Sequence, residues 1–146
     1  MPNCLNDNLI ETFSFLLNNF YETIVKDIQY EKQIENLFLP RSKTENYLPN
    51  DRQINYDGLY SLLKNKEYIC YDTQETNNFI EQVILLQKSK NIYIYWGSSF
   101  YVNGFFSKDC NIYIAMNNFT YNCDNKFIIC KIIKKIIEKN NKIFLV

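Results

Sequence analysis

Hydrophobic and polar positions alternate most clearly in the stretch NIYIYW, which begins at Asn91. One face of an extended chain would carry its two isoleucines and its tryptophan, and the other face would carry Tyr93 and Tyr95. This period of two is typical of a β-strand. Because both faces are apolar or aromatic, we predict a strand that is covered on both sides.

The residues after this strand predict a meander. Gly97-Ser98-Ser99 fits a turn, residues 100–102 fit a second strand, and Asn103-Gly104 is a short turn signal because both residues tolerate positive φ. The tetrad Asn-Ile-Tyr-Ile occurs at 91–94 and again at 111–114. We interpret it as two strands that present equivalent side chains for packing, since four residues are too few for a structural repeat.

Helical spacing dominates the first quarter of the chain. From Asn8 to about Phe38, apolar residues recur every three or four positions, and Pro40 marks the end of this helix or of its successor. A short helix at 57–65, a short strand at 67–71 and a helix from Thr73 to about Lys88 follow.

The C-terminal part predicts a strand at 126–130, an amphipathic basic helix at 129–139 and a closing strand at 142–146. We therefore predict one α+β domain spanning residues 1–146. It has a long N-terminal helix, a central helix, a mostly antiparallel sheet from about residue 91, and a C-terminal helix on that sheet.

The long irregular segment 39–55 predicts a surface loop. Loops of this length are typically functional or bound to something. Arg41 and Arg52, the only arginines in the chain, lie here together with Lys43. Arginine suits bidentate contact with phosphate or carboxylate, so we place a candidate contact surface on this loop.

Charge is balanced overall but uneven along the chain. The 16 basic and 16 acidic residues cancel. Residues 1–38 carry six acids against two lysines, and residues 122–146 carry six lysines against two acids. The two ends either pair within the fold, or the basic end faces phosphate or an acidic partner. The candidate contact residues of the basic end are Lys131, Lys134, Lys135 and Lys139.

Tyrosines on the predicted sheet have two interpretations. Tyr93, Tyr95 and Tyr113 either cover the core or form an aromatic platform for a base, a peptide or a partner protein. An RNA-recognition module would need a βαββαβ order and a basic-Gly-aromatic motif, neither of which the sequence has.

Catalytic and metal signatures are missing from the sequence. The chain has no histidine, which excludes Ser-His-Asp and Cys-His catalysis and imidazole-ligated zinc. Its three glycines form no nucleotide-binding motif, and its five cysteines form no CxxC pair. The acids available for carboxylate chemistry are Asp57, Asp72, Glu75 and Glu81. We expect no enzyme, no metal and no cofactor.

An odd number of cysteines, with no basic, apolar leader before them, predicts reduced thiols and a cytoplasmic location. No apolar run reaches the length of a membrane span.

These observations favour a non-catalytic binding protein that docks on a larger assembly. The most specific hypothesis is a ribosome-associated inhibitor or dormancy (hibernation) factor that contacts rRNA and ribosomal proteins. One alternative is an adaptor subunit of a protein complex. Another is a small enzyme that uses carboxylates or tyrosine.

Overall fold

The computed structural model describes residues 7–28, 33–40, 56–115 and 133–146. These residues form one five-stranded sheet in the order β2-β1-β3-β4-β5. The strands are Ile34–Leu39 (β1), Ile69–Cys70 (β2), Ser89–Tyr95 (β3), Asn111–Ala115 (β4) and Lys142–Leu145 (β5). The helices are Asp7–Phe20 (α1), Tyr56–Leu63 (α2), Thr73–Thr76 (α3), Phe79–Lys88 (α4), Ser98–Phe106 (α5) and residues 133–137 (α6).

All four strand pairings are parallel, so the fold is α/β and the predicted α+β domain with a mostly antiparallel sheet is wrong. The decisive element is α5. Residues 98–106 form a helix where the sequence predicts a turn, a strand and a second turn. That helix returns the chain to the start of the sheet, and a parallel partner strand requires such a crossover.

Tertiary packing explains why the residues of α5 are helical despite their β-forming side chains. Phe100, Phe105 and Phe106 are buried against the sheet and its neighbouring helices. Asn103 and Gly104 lie inside the helix and make no turn. Burial of three aromatic rings outweighs the weak local preferences of the segment, as tertiary context often does.

The predicted N-terminal helix is too long. It ends at Phe20 and continues as a π-helical turn, Tyr21–Val25. Residues 34–39 form the strand β1, whose apolar side chains are buried on both faces. The sequence of a strand inside a parallel sheet is a nearly continuous apolar run. A short buried helix can have the same pattern, so the pattern alone does not distinguish the two.

Three other predictions agree with the structure within a few residues, namely α2, the short strand β2 and the closing strand β5. The helix predicted from Thr73 is interrupted at Asn77, which has φ 44°, and restarts after Asn78. The side chain of Asn78 accepts from the N–H of Glu81 at 3.1 Å and so caps α4. The strand predicted at 126–130 lies outside the described residues.

Helices cover both faces of the sheet. The first face carries the residues Leu37, Ile92 and Ile112, and α1, α4, α5 and α6 pack against it. The second face carries Phe38 and Tyr93, and α2 packs against it. The described residues therefore form a doubly wound arrangement in which the sheet is the middle layer.

The two Asn-Ile-Tyr-Ile tetrads lie side by side and in register, with Asn91 opposite Asn111 and Tyr93 opposite Tyr113. Equal side chains in register form ladders on the second face. Nδ2 of Asn111 donates to Oδ1 of Asn91 at 2.9 Å, and Nδ2 of Asn91 donates to Oδ1 of Asn36 at 3.1 Å. The asparagines of the repeated tetrad thus form an amide ladder in the fold, and its tyrosines form an aromatic ladder.

Candidate functional site

The order of the strands creates a crevice at one place on the sheet. From β1 the chain moves outward to β2, whereas from β3 it moves the opposite way to β4. The helices that follow these two strands, α2 after β1 and α5 after β3, pack on opposite faces of the sheet. In open α/β sheets such a reversal marks a crevice at the carboxyl ends of the two strands. Ligands of open α/β sheets bind in this crevice, the topological switch point.

The junction between β3 and α5 forms one wall of the crevice. The N–H of Trp96 donates to the carbonyl of Ala115 at 2.9 Å and holds the end of β3 against β4. Gly97 has φ 140°, a conformation that L side chains rarely adopt, and a Cβ there would meet nothing within 4 Å. The chain thus turns sharply through an open position and enters α5 at Ser98.

Main-chain donors are oriented toward the crevice at this turn. The first intrahelical hydrogen bond of α5 runs from the N–H of Tyr101 to the carbonyl of Gly97 at 3.3 Å. The N–H groups of Ser98, Ser99 and Phe100 therefore have no acceptor within the helix. As Gly97 is the N-cap, it offers them no side-chain acceptor either. This first turn can donate to an anion.

Aromatic rings line the same junction. Trp96 is half-buried and stacks on Phe100, with 5.0 Å between centroids and 28° between planes. Tyr101 meets Trp96 edge to face at 5.4 Å. Burial raises the pKa of the Tyr101 hydroxyl, so that group stays protonated and neutral at physiological pH. The wall next to the main-chain donors is therefore aromatic and uncharged.

The opposite wall begins at the carboxyl end of β1. Leu39 is buried and Pro40 is half-buried. Arg41 is the next residue in the chain, and Arg41, Lys43 and Arg52 all lie outside the described residues. The chain therefore enters the candidate contact loop at the switch point of a parallel sheet. The sequence predicted this loop in a fold with a mostly antiparallel sheet.

Two of the candidate basic residues of the C-terminal end contact other parts of the fold. Lys134 is exposed, whereas Nζ of Lys135 lies 3.3 Å from Oε2 of Glu11 on α1. Lys139 donates to the carbonyl of Phe105, which is at the end of α5 remote from Gly97. Lys131 lies outside the described residues. One link between the acidic and basic ends of the chain, Glu11 to Lys135, therefore forms within the fold.

The candidate tyrosine platform lies on the second face of the sheet. Tyr93 and Tyr95 are buried, at 0% and 4% exposure, and Tyr113 is half-buried. Tyr93 stacks on Tyr113 with 4.8 Å between centroids, and Tyr113 stacks on Phe144 at 4.9 Å. Only the outer part of this aromatic ladder meets solvent.

A polar network fixes the buried end of that ladder. Nζ of Lys66 donates to the hydroxyl of Tyr93 at 3.0 Å. This hydrogen bond is the main reason why the pKa of Lys66 is raised. The hydroxyl of Tyr93 in turn lies 3.4 Å from Oδ1 of Asn36. These contacts orient Tyr93 as a structural residue of the core.

The described ranges contain some of the acidic and sulfur-bearing side chains of the protein. Within these ranges, no group of three or more His, Cys, Asp or Glu residues could hold a metal ion. Asp72 is half-buried and follows β2, and Glu81 is exposed on α4. The side chains of Asp57 and Glu75 lie outside the description. Of the cysteines described, Cys70 is exposed and Cys110 is buried.

Sequence reasoning did not single out the Trp96-Gly97 junction as a site. Its signal was present, namely a glycine directly after a strand that is apolar on both faces. That signal gains meaning only when a helix follows, and the sequence predicts a turn and a strand instead.

None of the helices in the described ranges is long and apolar enough to cross a membrane. Comparison of the chain with protein-family models, with curated proteins and with solved structures found no match.

Proposed function

We propose that this protein binds a phosphate-bearing small molecule of the nucleotide class in the crevice between the carboxyl ends of β1 and β3. The observation that carries the proposal is the reversal of strand order between these two strands in an all-parallel sheet. Ligand binding at that point is a general property of doubly wound sheets and follows from their connectivity.

Electrostatics favour an anion at this edge. Each of α2, α4 and α5 follows a strand that ends here, so the positive ends of their dipoles point toward the carboxyl edge. The first turn of α5 adds main-chain donors whose cap residue, Gly97, has no side chain. A phosphate group can approach these donors closely, because a Cβ added at Gly97 would meet no atom within 4 Å.

The two arginines supply the expected counter-charge. Both lie in the segment that joins β1 to α2, and Arg41 follows directly after Pro40 at the end of β1. Guanidinium groups bind phosphate in a bidentate manner, which a solvated lysine does not. The half-buried ring of Trp96 offers a neighbouring apolar surface to a base or sugar.

The test is equilibrium binding of a nucleotide panel, read by calorimetry and by thermal unfolding. The probes are ADP, GDP, UDP and NAD, with inorganic phosphate as the minimal anion. A ligand at about 100 times its Kd stabilises the native state by about 2.7 kcal/mol, which a thermal scan resolves easily. We expect at least one nucleotide to raise Tm and inorganic phosphate to compete with it.

Two variants locate the site. Arg41→Ala and Arg52→Ala should each weaken nucleotide binding by about tenfold or more, as expected for the loss of a charged hydrogen bond worth about 1.5–3 kcal/mol. The matched control is Lys134→Ala, which removes an exposed charge on α6 and should leave binding unchanged. Failure of every nucleotide to bind, or equal effects of all three variants, would refute the proposal.

A second candidate function is supported by the surface of α1. Phe15 and Leu16 are 63% and 59% exposed, which is unusual for two adjacent large apolar side chains. Such a patch favours a protein that docks on a larger assembly, either as an adaptor subunit or, in the most specific version, as a ribosome-associated dormancy factor.

Sedimentation distinguishes these versions. Native protein from the source cell is run on a sucrose gradient at low and at high salt. Contact with rRNA through basic residues predicts co-sedimentation with ribosomes that is lost at high salt. Adaptor docking through Phe15 and Leu16 predicts a complex that survives high salt. Migration as a free chain of 17.6 kDa at both salts would contradict both versions.

A further inference from the structure

The strand β5 forms one edge of the sheet in the described part of the chain, where it pairs only with β4. Its large apolar side chains face solvent. Phe144 is 42% exposed and Leu145 is 52% exposed, and they lie on opposite faces of the strand. An edge strand with apolar side chains on both faces favours pairing with another strand.

Main-chain hydrogen bonds show which groups of β5 point outward. The N–H of Lys142 donates to Cys110, and the N–H of Val146 donates to Ile114, each at 2.9 Å. In a strand, successive residues direct their main-chain groups to opposite sides, so Ile143 and Leu145 direct theirs away from β4. The outer edge therefore presents two residues with main-chain donors and acceptors, spaced for an extended partner.

The aromatic ladder also ends at this edge. Tyr93, Tyr113 and Phe144 stack in sequence across three strands, and their planes differ by 10° and 17° at the two steps. Among the described residues, Phe144 stacks on a ring at one side only, and 42% of the residue is exposed. A partner strand that places an aromatic ring beside Phe144 would extend the stack.

A second copy of this chain meets these requirements. In a symmetric antiparallel pair of β5 strands with Phe144 opposite its own equivalent, Ile143 lies opposite Leu145 of the other copy. These are the residues whose main-chain groups point outward, so two such pairs would form four hydrogen bonds. The net charge of zero adds no long-range repulsion between two copies.

We propose that the protein forms a two-fold symmetric dimer through antiparallel pairing of β5, which joins the two described five-stranded sheets into one continuous sheet. Phe144 of each copy lies at the centre of the interface, where the aromatic ladders meet. An antiparallel orientation keeps equivalent faces of the two sheets on the same side, as a two-fold axis perpendicular to the sheet requires.

The first test measures mass in solution by light scattering and sedimentation equilibrium over a range of protein concentrations. The wild-type chain should reach about 35 kDa, twice the 17.6 kDa of one chain. Phe144→Glu places two carboxylates opposite each other and should shift the protein toward the monomer, with a dimer Kd raised by about tenfold or more. The control Phe15→Glu changes an aromatic residue that is 63% exposed on α1 and should remain dimeric.

A monomeric wild-type chain at every concentration, or dissociation by both variants alike, would overturn the proposal. Circular dichroism verifies that Phe144→Glu remains folded, which we expect because that side chain is 42% exposed.

Disulfide trapping tests the register and does not require a disruptive substitution. Opposed residues in a non-hydrogen-bonded antiparallel pair have Cα atoms about 4.5 Å apart, within the range of a disulfide. Phe144→Cys should therefore form a covalent dimer under mild oxidation. In the control Leu145→Cys, the two introduced cysteines would lie about 8–9 Å apart and should not link. The wild-type chain, with its own cysteines, sets the background, and equal trapping in all three proteins would overturn this register.

Discussion

Gly104 on α5 and Ile136 on α6 approach each other so closely that a Cβ on the glycine would lie 2.5 Å from Cδ1 of Ile136. Ile136 is fully buried, so its side chain has little freedom to move aside. The glycine therefore serves close packing of two helices on the first face of the sheet.

Gly104→Ala should destabilise the protein by about 1–3 kcal/mol, the usual cost of overpacking a core. Alanine gains up to about 1 kcal/mol in helix propensity over glycine, which partly offsets the clash. Because the clash is with Cδ1 of Ile136, Ile136→Val should relieve it. The double variant should then be more stable than the sum of the two single changes predicts, by about 0.5–3 kcal/mol. Urea unfolding measures all three free energies.

Gly97→Ala is the matched control for this cycle. A Cβ at Gly97 would meet no atom within 4 Å, but its φ of 140° strains any other residue. It should also destabilise the protein, while Ile136→Val should give no rescue. Rescue of Gly97→Ala, or additivity in the Gly104 cycle, would contradict the assignment of Gly104 to helix packing.

Gly104 also shows how far the sequence determines the fold. Asn103-Gly104 is a turn signal by local chemistry, and the aromatic residues around it favour strands. The helix forms because Phe100, Phe105 and Phe106 bury their rings on a sheet that exists only after long-range pairing. Residue periodicity locates β3, but it does not determine whether its neighbours are parallel.

The sequence pointed to segment 39–55 but not to the crevice, for the same reason. Segment 39–55 and its arginines were chosen for their length and chemistry, and the chain enters this segment from the carboxyl end of β1. The crevice itself depends on the order of the strands, which no local pattern encodes. Gly97 acquires its role from a φ of 140°, a property of the folded chain.

Asn141 holds together three elements near the amino edge of the sheet. Its Nδ2 donates to the carbonyls of Ser107 and Ile136, each at 3.0 Å, and its Oδ1 accepts from the N–H of Cys110 at 3.3 Å. The residue is 4% exposed. Asn141→Ala removes all three of these buried hydrogen bonds and should cost about 2–4 kcal/mol in unfolding free energy.

The control for this change is its neighbour Asn140, which is exposed and donates to Oδ1 of Asp109 at 2.7 Å. Asn140 has φ 61°, so Asn140→Gly removes the side chain without backbone strain and should change stability by less than about 1 kcal/mol. Chemical unfolding measures the loss of unfolding free energy in both variants. Equal losses would show that Asn141 does not hold these three elements together.

The amide ladder should contribute measurably to the sheet. Asn91 connects Asn36 and Asn111 and also donates to the carbonyl of Glu35, so Asn91→Ala removes three hydrogen bonds. We expect a loss of about 1–3 kcal/mol in unfolding free energy. The adjacent Lys90 forms an exposed ion pair with Glu35 at 2.8 Å, and Lys90→Ala should cost less than about 1 kcal/mol. If Asn91→Ala costs no more than Lys90→Ala, the ladder is not stabilising.

Lys139 predicts a specific dependence of stability on pH. Burial lowers the pKa of its ammonium group below the usual 10.5, and its Nζ lies 5.8 Å from the ring centroid of Tyr21. Between the lowered pKa and 10.5 the unfolded chain binds more protons at this position than the folded chain, so unfolding free energy rises with pH. Lys139→Met removes this contribution, and its stability relative to wild type should decline from pH 7 toward pH 10. Lys66→Met is the control. The pKa of Lys66 is raised above 10.5, so its contribution to stability changes only at pH values above this range. The measurement is urea unfolding at a series of pH values, and parallel curves for wild type and Lys139→Met would contradict the prediction.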